Sequence, residues 1–352
     1  MNTHYCTLKS GIDRTEEFEK KGLASHSVNV GTKCGHDCAY CSTGAVLRRH
    51  NSFRAAGESP FRLGYAIVDP STPERVARDA RRIEPDKRGM VQLCTLVDAW
   101  APEAQAHDLG RRCLEAILQE PGWSVRVLTK NAAVIQDFEL IEKHRDRVLV
   151  GLSITGSPES AGPVSALEPN ASSLEERMAA MAEAHRRGLR TYGMFCPLSP
   201  GIGDSKAQVE WLIEFAVRCG VEEIFVEPVN ARGSALPHCE NHLRDAGFDD
   251  LADQMHAIRT RTRWSRYVTE LIATVQASVR RHSDIQRLRF LMYPGNLTPG
   301  DYQQIKESDE GVVWLREKVL SGAGPVEVAT PAPADLAGVE SSALGGSLSG
   351  SC

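Results

Sequence analysis

From Ser27 to Val229, short β-rich runs alternate with helical stretches, and this alternation constrains the fold more than any other feature of the chain. Repeated βα units build a parallel sheet or barrel whose strands are covered on both faces. Six runs read as strands: Ser27–Val30, Met90–Leu93, Ser124–Leu128, Val148–Ile154, Arg190–Phe195 and Glu223–Val226. Most are nearly continuously apolar, as doubly covered strands should be. Two of the intervening helices announce both of their ends. Ser173-x-x-Glu176 forms a capping box before an apolar face of Leu174, Met178, Met181 and Ala182, and Gly188 stands at the stop. Ser205 and Gln208 repeat the arrangement, with Gly220 at the end. Six units fall two short of a complete eight-stranded barrel, so the expectation is an α/β fold, a partial (β/α)6 TIM-like barrel open on one side with a helical C-terminal extension.

Around the barrel the chain divides unevenly. Residues 1–26 form a polar lead-in, 27–229 the barrel, 230–320 a mainly helical C-terminal subdomain with one strand at Leu288–Tyr293, and 321–352 a Gly/Ala/Ser/Pro-rich tail with too little apolar mass to order. The 41 basic and 46 acidic side chains leave a formal charge of −5, which excludes a uniformly basic surface for nucleic acid but not a local patch. One run, Arg259, Arg261, Arg263, Trp264 and Arg266, mixes cations with an aromatic; it reads either as a phosphate and base contact or as the charged outer face of a helix. No run of eighteen apolar residues occurs and the N-terminus lacks the apolar core of a signal peptide, so the expected location is the cytoplasm, without membrane association.

Ten cysteines in such a compartment point to metal or redox chemistry rather than to disulfides. Cys34, Cys38 and Cys41 stand as C-x3-C-x2-C directly after the first strand, where barrel active sites lie. Three closely spaced thiolates can wrap one face of an iron–sulfur cube; a cluster held fully by protein uses four cysteines, so one iron would be left open for chemistry. The competing reading is a zinc site completed by His36 or His50. Cys113 and Cys219 fall on apolar helix faces and read as core, and His238-Cys239-x-x-His242 resembles a metal motif by residue type alone.

The cysteine loop, with Tyr40 supplying the aromatic before the last cysteine, resembles the signature of the radical S-adenosylmethionine (SAM) enzymes. Cys94-Thr95 with Asp98, Leu128-Thr129-Lys130, Ser153-Ile154-Thr155, Leu167-Glu168-Pro169 with Arg177, and Pro197 to Ile202 then follow in the order of the spore photoproduct lyase-like branch. The resemblance implies a partial barrel, a [4Fe–4S] cluster on Cys34, Cys38 and Cys41, and SAM chelated to the open iron. Reductive cleavage to a 5′-deoxyadenosyl radical, which abstracts hydrogen from substrate, follows from the same resemblance. Tyr40, Lys130 and Ser153 are its cofactor-binding candidates: a SAM carboxylate calls for a cation and a ribose hydroxyl for a short hydrogen-bonding side chain. The Gly-Gly-Glu stretch that recognises the SAM amine in many relatives is absent, with Thr95 or Asp98 as replacements. Cys94 matches the catalytic thiol that returns a hydrogen atom to the substrate radical; Cys196, ending the fifth strand, is a second candidate, and a packed core cysteine is the alternative for each. Leu96 and Val97 depart from the polar residues expected of a true lyase.

The resemblance further implies a flavodoxin- or ferredoxin-type electron donor and a nucleotide, nucleoside or nucleic-acid base as substrate. Maturation of a peptide or natural product by the same chemistry is one alternative. A non-enzymatic iron–sulfur or zinc redox sensor is the other.

Overall fold

A computed structural model describes residues 1–231 and 234–315; the tail expected at 321–352 lies outside the described residues. Seven consecutive parallel pairings link eight strands: β1 (His26–Val28), β2 (Met90–Leu93), β3 (Ser124–Thr129), β4 (Val148–Leu152), β5 (Arg190–Thr191 and Gly193–Leu198), β6 (Ile224–Pro228), β7 (Leu288–Met292) and β8 (Val312–Trp314). A parallel bridge between Ser153 and Met194 carries the ladder across the break in β5. Among the described residues no pairing joins β8 to β1, so the barrel is partial, as expected, and stays open there. The six strands read from the sequence are all present. The expected strand near Leu288 continues the same sheet as β7, and β8 follows it.

Side-chain alternation explains why these runs are strands. Val91, Leu93, Val125, Val127, Val148 and Val150 pack in the large core shared with the helices, while Leu149, Tyr192, Met194, Phe225 and Leu291 form a second, inner cluster. Both capping boxes are made: Ser173 starts the helix Leu174–Arg186 and Ser205 starts Lys206–Arg218. Gly188 takes the left-handed conformation, φ +69°, that ends the first of them. Cys113 and Cys219 are buried in the core.

The N-terminal lead-in is built into the fold. Asn2–Tyr5 pairs with Tyr65–Val68, and Asp13–Arg14 pairs antiparallel with β1. Phe18 and Leu23 join the inner cluster, and Tyr293, just after β7, donates from its hydroxyl to Glu17 Oε1 at 2.6 Å. This segment therefore spans the open side of the barrel from within. The arginine-rich stretch divides into helices Asp249–Ala257 and Arg261–His282. Trp264 is buried there, with its indole N–H donating to the Val229 carbonyl at 3.1 Å, so it has no face to offer a base and the run is a helix's charged outer side. No helix among the described residues is long and apolar enough to cross a membrane.

Candidate active site at the barrel mouth

The cysteine loop leaves the strand Gly31–Lys33, and nearly every residue in it is fastened by something far away in sequence. Glu103 Oε1 accepts from the Gly35 amide at 2.9 Å. Asn170 donates from its side chain to the Gly35 carbonyl at 2.9 Å, and the Ala39 amide donates to the Leu167 carbonyl at 2.8 Å. Asp37, at φ +52°, accepts from the Gly64 amide at 2.6 Å. A loop so pinned holds its thiols in one arrangement. Cys34, Cys38 and Cys41 all line a cleft of about 500 Å³, open to solvent, with Lys33, Phe61 and Leu96 also in its wall. Cys38 is buried and Cys41 exposed.

Beside this loop lies a buried charge network. Glu168 Oε2 meets Arg177 Nη2 at 2.5 Å; Lys130 Nζ is 3.4 Å from Glu168 Oε1, and Thr155 donates to that same oxygen at 2.8 Å. The Tyr40 hydroxyl also donates to Glu168, and its ring lies 5.4 Å from Lys130 Nζ. Lys130 Nζ donates to Ser153 Oγ at 2.5 Å, and Ser153 Oγ donates to the Cys196 carbonyl at 2.9 Å. Burial alone would raise the Glu168 carboxyl, but Lys130, Arg177 and the hydrogen bonds from Tyr40 and Thr155 outweigh it and hold it at about 2. Burial, then the neighbouring Cys38 and Glu168, pushes the Tyr40 phenol well above its ordinary value. Tyr40 is thus a neutral donor. Tyr40, Lys130 and Ser153, drawn from three separate segments, meet in one network.

Asp98 is committed to the fold. Its carboxylate accepts from Thr129 Oγ1 at 2.8 and 2.9 Å, from the Lys130 amide at 2.7 Å and from the Trp100 amide at 2.9 Å, and faces His36 Nδ1 at 3.5 Å. Thr95 Oγ1 accepts from Asn29 at 2.8 Å. Glu103, Asp98 and Glu168 carry the scaffolding that sequence reasoning left unassigned; each acts across a distance in sequence that no local pattern reports.

Cys94 is buried and packed in the large core, with Cys113 of the helix Leu109–Leu118, Asp98 and Cys34 among the groups around it. Cys196 belongs to the inner cluster, half-buried, with Glu227, Lys21 and Lys130 around it. Burial raises both thiols, so each is protonated at neutral pH. Cys239 is fully buried and His242 Nδ1 is engaged with the Ala166 carbonyl, while His238 lines the cleft with the three cysteines.

Three thiolates on one loop are a donor set that suits an iron–sulfur cluster. His50 Nδ1 is taken up by Ser52, 2.8 Å from its hydroxyl. Around the loop, His36 Nε2, Asp37 Oδ1 and Glu103 Oε2 are buried without a hydrogen-bond partner in the protein.

No protein-family model matches this chain, and no curated protein matches it. Among solved structures, several share this fold over most of the chain. The particular likeness is to spore photoproduct lyase: a cysteine-to-serine variant aligns with a TM-score of 0.55 and 16% identity over 80% of this chain and 79% of that one. A double variant with bound AdoMet and dinucleoside spore photoproduct gives a TM-score of 0.54 and 16% identity over 80% and 79%. The lyase complexed with dinucleoside spore photoproduct gives 0.53 at the same identity and coverage. The resemblance read in the sequence is thus repeated in the fold.

Proposed function

We propose that this chain is a radical SAM enzyme in which Cys34, Cys38 and Cys41 hold a [4Fe–4S] cluster with one iron left open, and Tyr40, Lys130 and Ser153 lie against SAM. The observation that carries the reading is the convergence of three thiols from one pinned loop with Tyr40, Lys130 and Ser153 at the mouth of a parallel barrel. When bound, cluster and SAM supply reductive cleavage to a 5′-deoxyadenosyl radical that abstracts hydrogen from substrate. The chain's own part is binding and orientation. Lys130 offers its ammonium to the SAM carboxylate and Ser153 its hydroxyl to the ribose. Arg177 fixes both: it pairs with Glu168, which faces Lys130, and donates from Nη1 to the Ser153 carbonyl at 2.6 Å. Thiol hydrogen donation falls to Cys94 or Cys196; proximity to Lys130 and Ser153 favours Cys196.

For substrate we infer a nucleotide or nucleic-acid base, supported by a fold likeness to proteins whose structures hold a dinucleoside spore photoproduct. One observation favours a second reading, a peptide or other metabolite: apolar Leu96 lines the cleft where a lyase would carry polar residues. A one-electron donor of flavodoxin or ferredoxin type is required by either.

The test is anaerobic reconstitution with iron and sulfide, reduction, and electron paramagnetic resonance with and without SAM, with 5′-deoxyadenosine measured in the same sample. A SAM-dependent change in the signal together with 5′-deoxyadenosine is the expected result. A fully loaded cluster that neither responds to SAM nor cleaves it makes the chain a redox sensor instead.

A further inference from the structure

Between Gly31–Lys33 and Tyr65–Val68 the chain makes an excursion that carries the cysteine loop and then two short helices, Thr43–Val46 and Asn51–Ala56. The excursion has its own small core of Phe53, Tyr65 and Ile67, with Leu47 and Ala56 against it. Its two limbs touch closely. A Cβ at Gly44 would fall 2.3 Å from the Pro60 carbonyl oxygen, so only glycine lets the first helix meet the returning chain. Cys41, Gly44, Pro60 and Phe61 consequently share one wall of the cleft.

The outer side of this excursion is basic. The chain as a whole carries −5, yet residues 46–62 hold Arg48, Arg49, Arg54 and Arg62 against a single carboxylate, Glu58. Glu58 is taken by Arg62 and by His4, 3.2 Å away. Arg48, Arg49 and Arg54 are exposed and pair with no carboxylate among the described residues. The same stretch bares two apolar side chains to solvent, Val46 at 62% and Phe61 at 40% exposure. Exposed Cys41 lines the cleft together with Phe61. Cations around an apolar centre make a protein-docking surface rather than a phosphate track, because the apolar residues gain only from a partner that covers them.

We propose that the surface formed by Val46, Arg48, Arg49, Arg54 and Phe61 docks a small redox protein with an acidic face. The proposal rests on the radical SAM reading above, since it supplies the reason an electron must enter here. The donor loses one electron and the cluster held by the three thiols gains it; no bond between the proteins forms. Exposed Cys41 shares the cleft wall with Phe61, so a donor docked on this excursion approaches a thiol that would hold the cluster. The arginines speed encounter and set its salt dependence, and the apolar centre holds the docked pair.

The experiment compares the reconstituted wild type with the triple variant Arg48→Glu/Arg49→Glu/Arg54→Glu. Binding to an acidic flavodoxin is titrated at low and at physiological salt, with basic cytochrome c and a 20-mer duplex DNA as controls. Circular dichroism checks the fold, and 5′-deoxyadenosine formed with dithionite checks the chemistry without a protein donor. The expected result is flavodoxin binding by the wild type that weakens with salt, a loss of about tenfold or more in the variant, and equal dithionite-driven turnover. Three results overturn the proposal: no salt-dependent flavodoxin binding by the wild type, unchanged binding by the variant, or a variant that loses DNA but keeps flavodoxin, which makes this a nucleic-acid face. Dithionite-driven turnover failing in the wild type overturns the enzymatic reading instead, while the flavodoxin titration still reads the surface.

Discussion

Glu168 and Arg177 form an ion pair of 2.5 Å in which both side chains are 1% exposed, and the guanidinium reaches on to the Ser153 carbonyl at 2.6 Å. A pair buried this deeply contributes little over an apolar substitute, but breaking it strands a charge. Its place between Lys130 and Ser153 makes it a positioning device for the pair proposed to face SAM.

Replacing Glu168 by Gln should cost about 3–5 kcal/mol at neutral pH, because Arg177 is left charged and unpaired in the interior. The folded carboxyl is depressed to about 2 from an ordinary 4.5, so its stabilisation is complete above pH 4.5 and is lost as pH falls from there toward 2. Tm measured against pH should therefore show wild type and E168Q far apart at neutrality and converging in acid. A gap that persists unchanged to pH 2 would contradict the assignment.

Removing the Lys130 ammonium takes away a charge-assisted contact, so Lys130→Ala should weaken SAM binding by about tenfold or more. Ser153→Ala should weaken it less, since a neutral hydrogen bond contributes about 1 kcal/mol. Calorimetry of SAM binding to cluster-loaded protein reads both, and equal effects would mean that the two do not play these separate parts.

Each of Cys34→Ala, Cys38→Ala and Cys41→Ala should drop bound iron and sulfide to near background. Cys239→Ala, from a cysteine buried outside the cleft-lining loop, should leave both unchanged at a modest cost in Tm. Iron and sulfide assays after reconstitution decide it. Retention of a full complement by any of the three loop variants would remove that thiol from the cluster.

Cys94→Ala should behave as a core truncation, losing about 1–2 kcal/mol of stability and leaving deuterium incorporation from solvent-exchanged thiols intact. Cys196→Ala should change incorporation and product distribution. The reverse pattern would return the hydrogen-donor role to Cys94.

The strands and the cysteine loop were legible for physical reasons. A strand covered on both faces has to be an unbroken apolar run, and a three-thiol cluster site has to be compact in sequence. What escaped notice was assembled over distance. Val312–Trp314 is three half-buried residues with no periodicity to read, and it is a strand because β7 lies beside it. Glu103 reaches the Gly35 amide from 68 positions away, and nothing around Glu103 marks it as a clamp. The lead-in looked aperiodic because Phe18 and Leu23 pack singly into a core supplied by later strands. Trp264 looked available to a base in a string of arginines, and helical geometry turned it inward.

The hydrogen bond from Tyr293 to Glu17 ties positions 276 residues apart. A ribosome delivers Glu17 early and Tyr293 near the end, so the segment docks first on β1 and the middle strands and gains this last tie only when β7 is made. Completion of β7 is therefore the event that ties the two ends of the growing chain together across the open side.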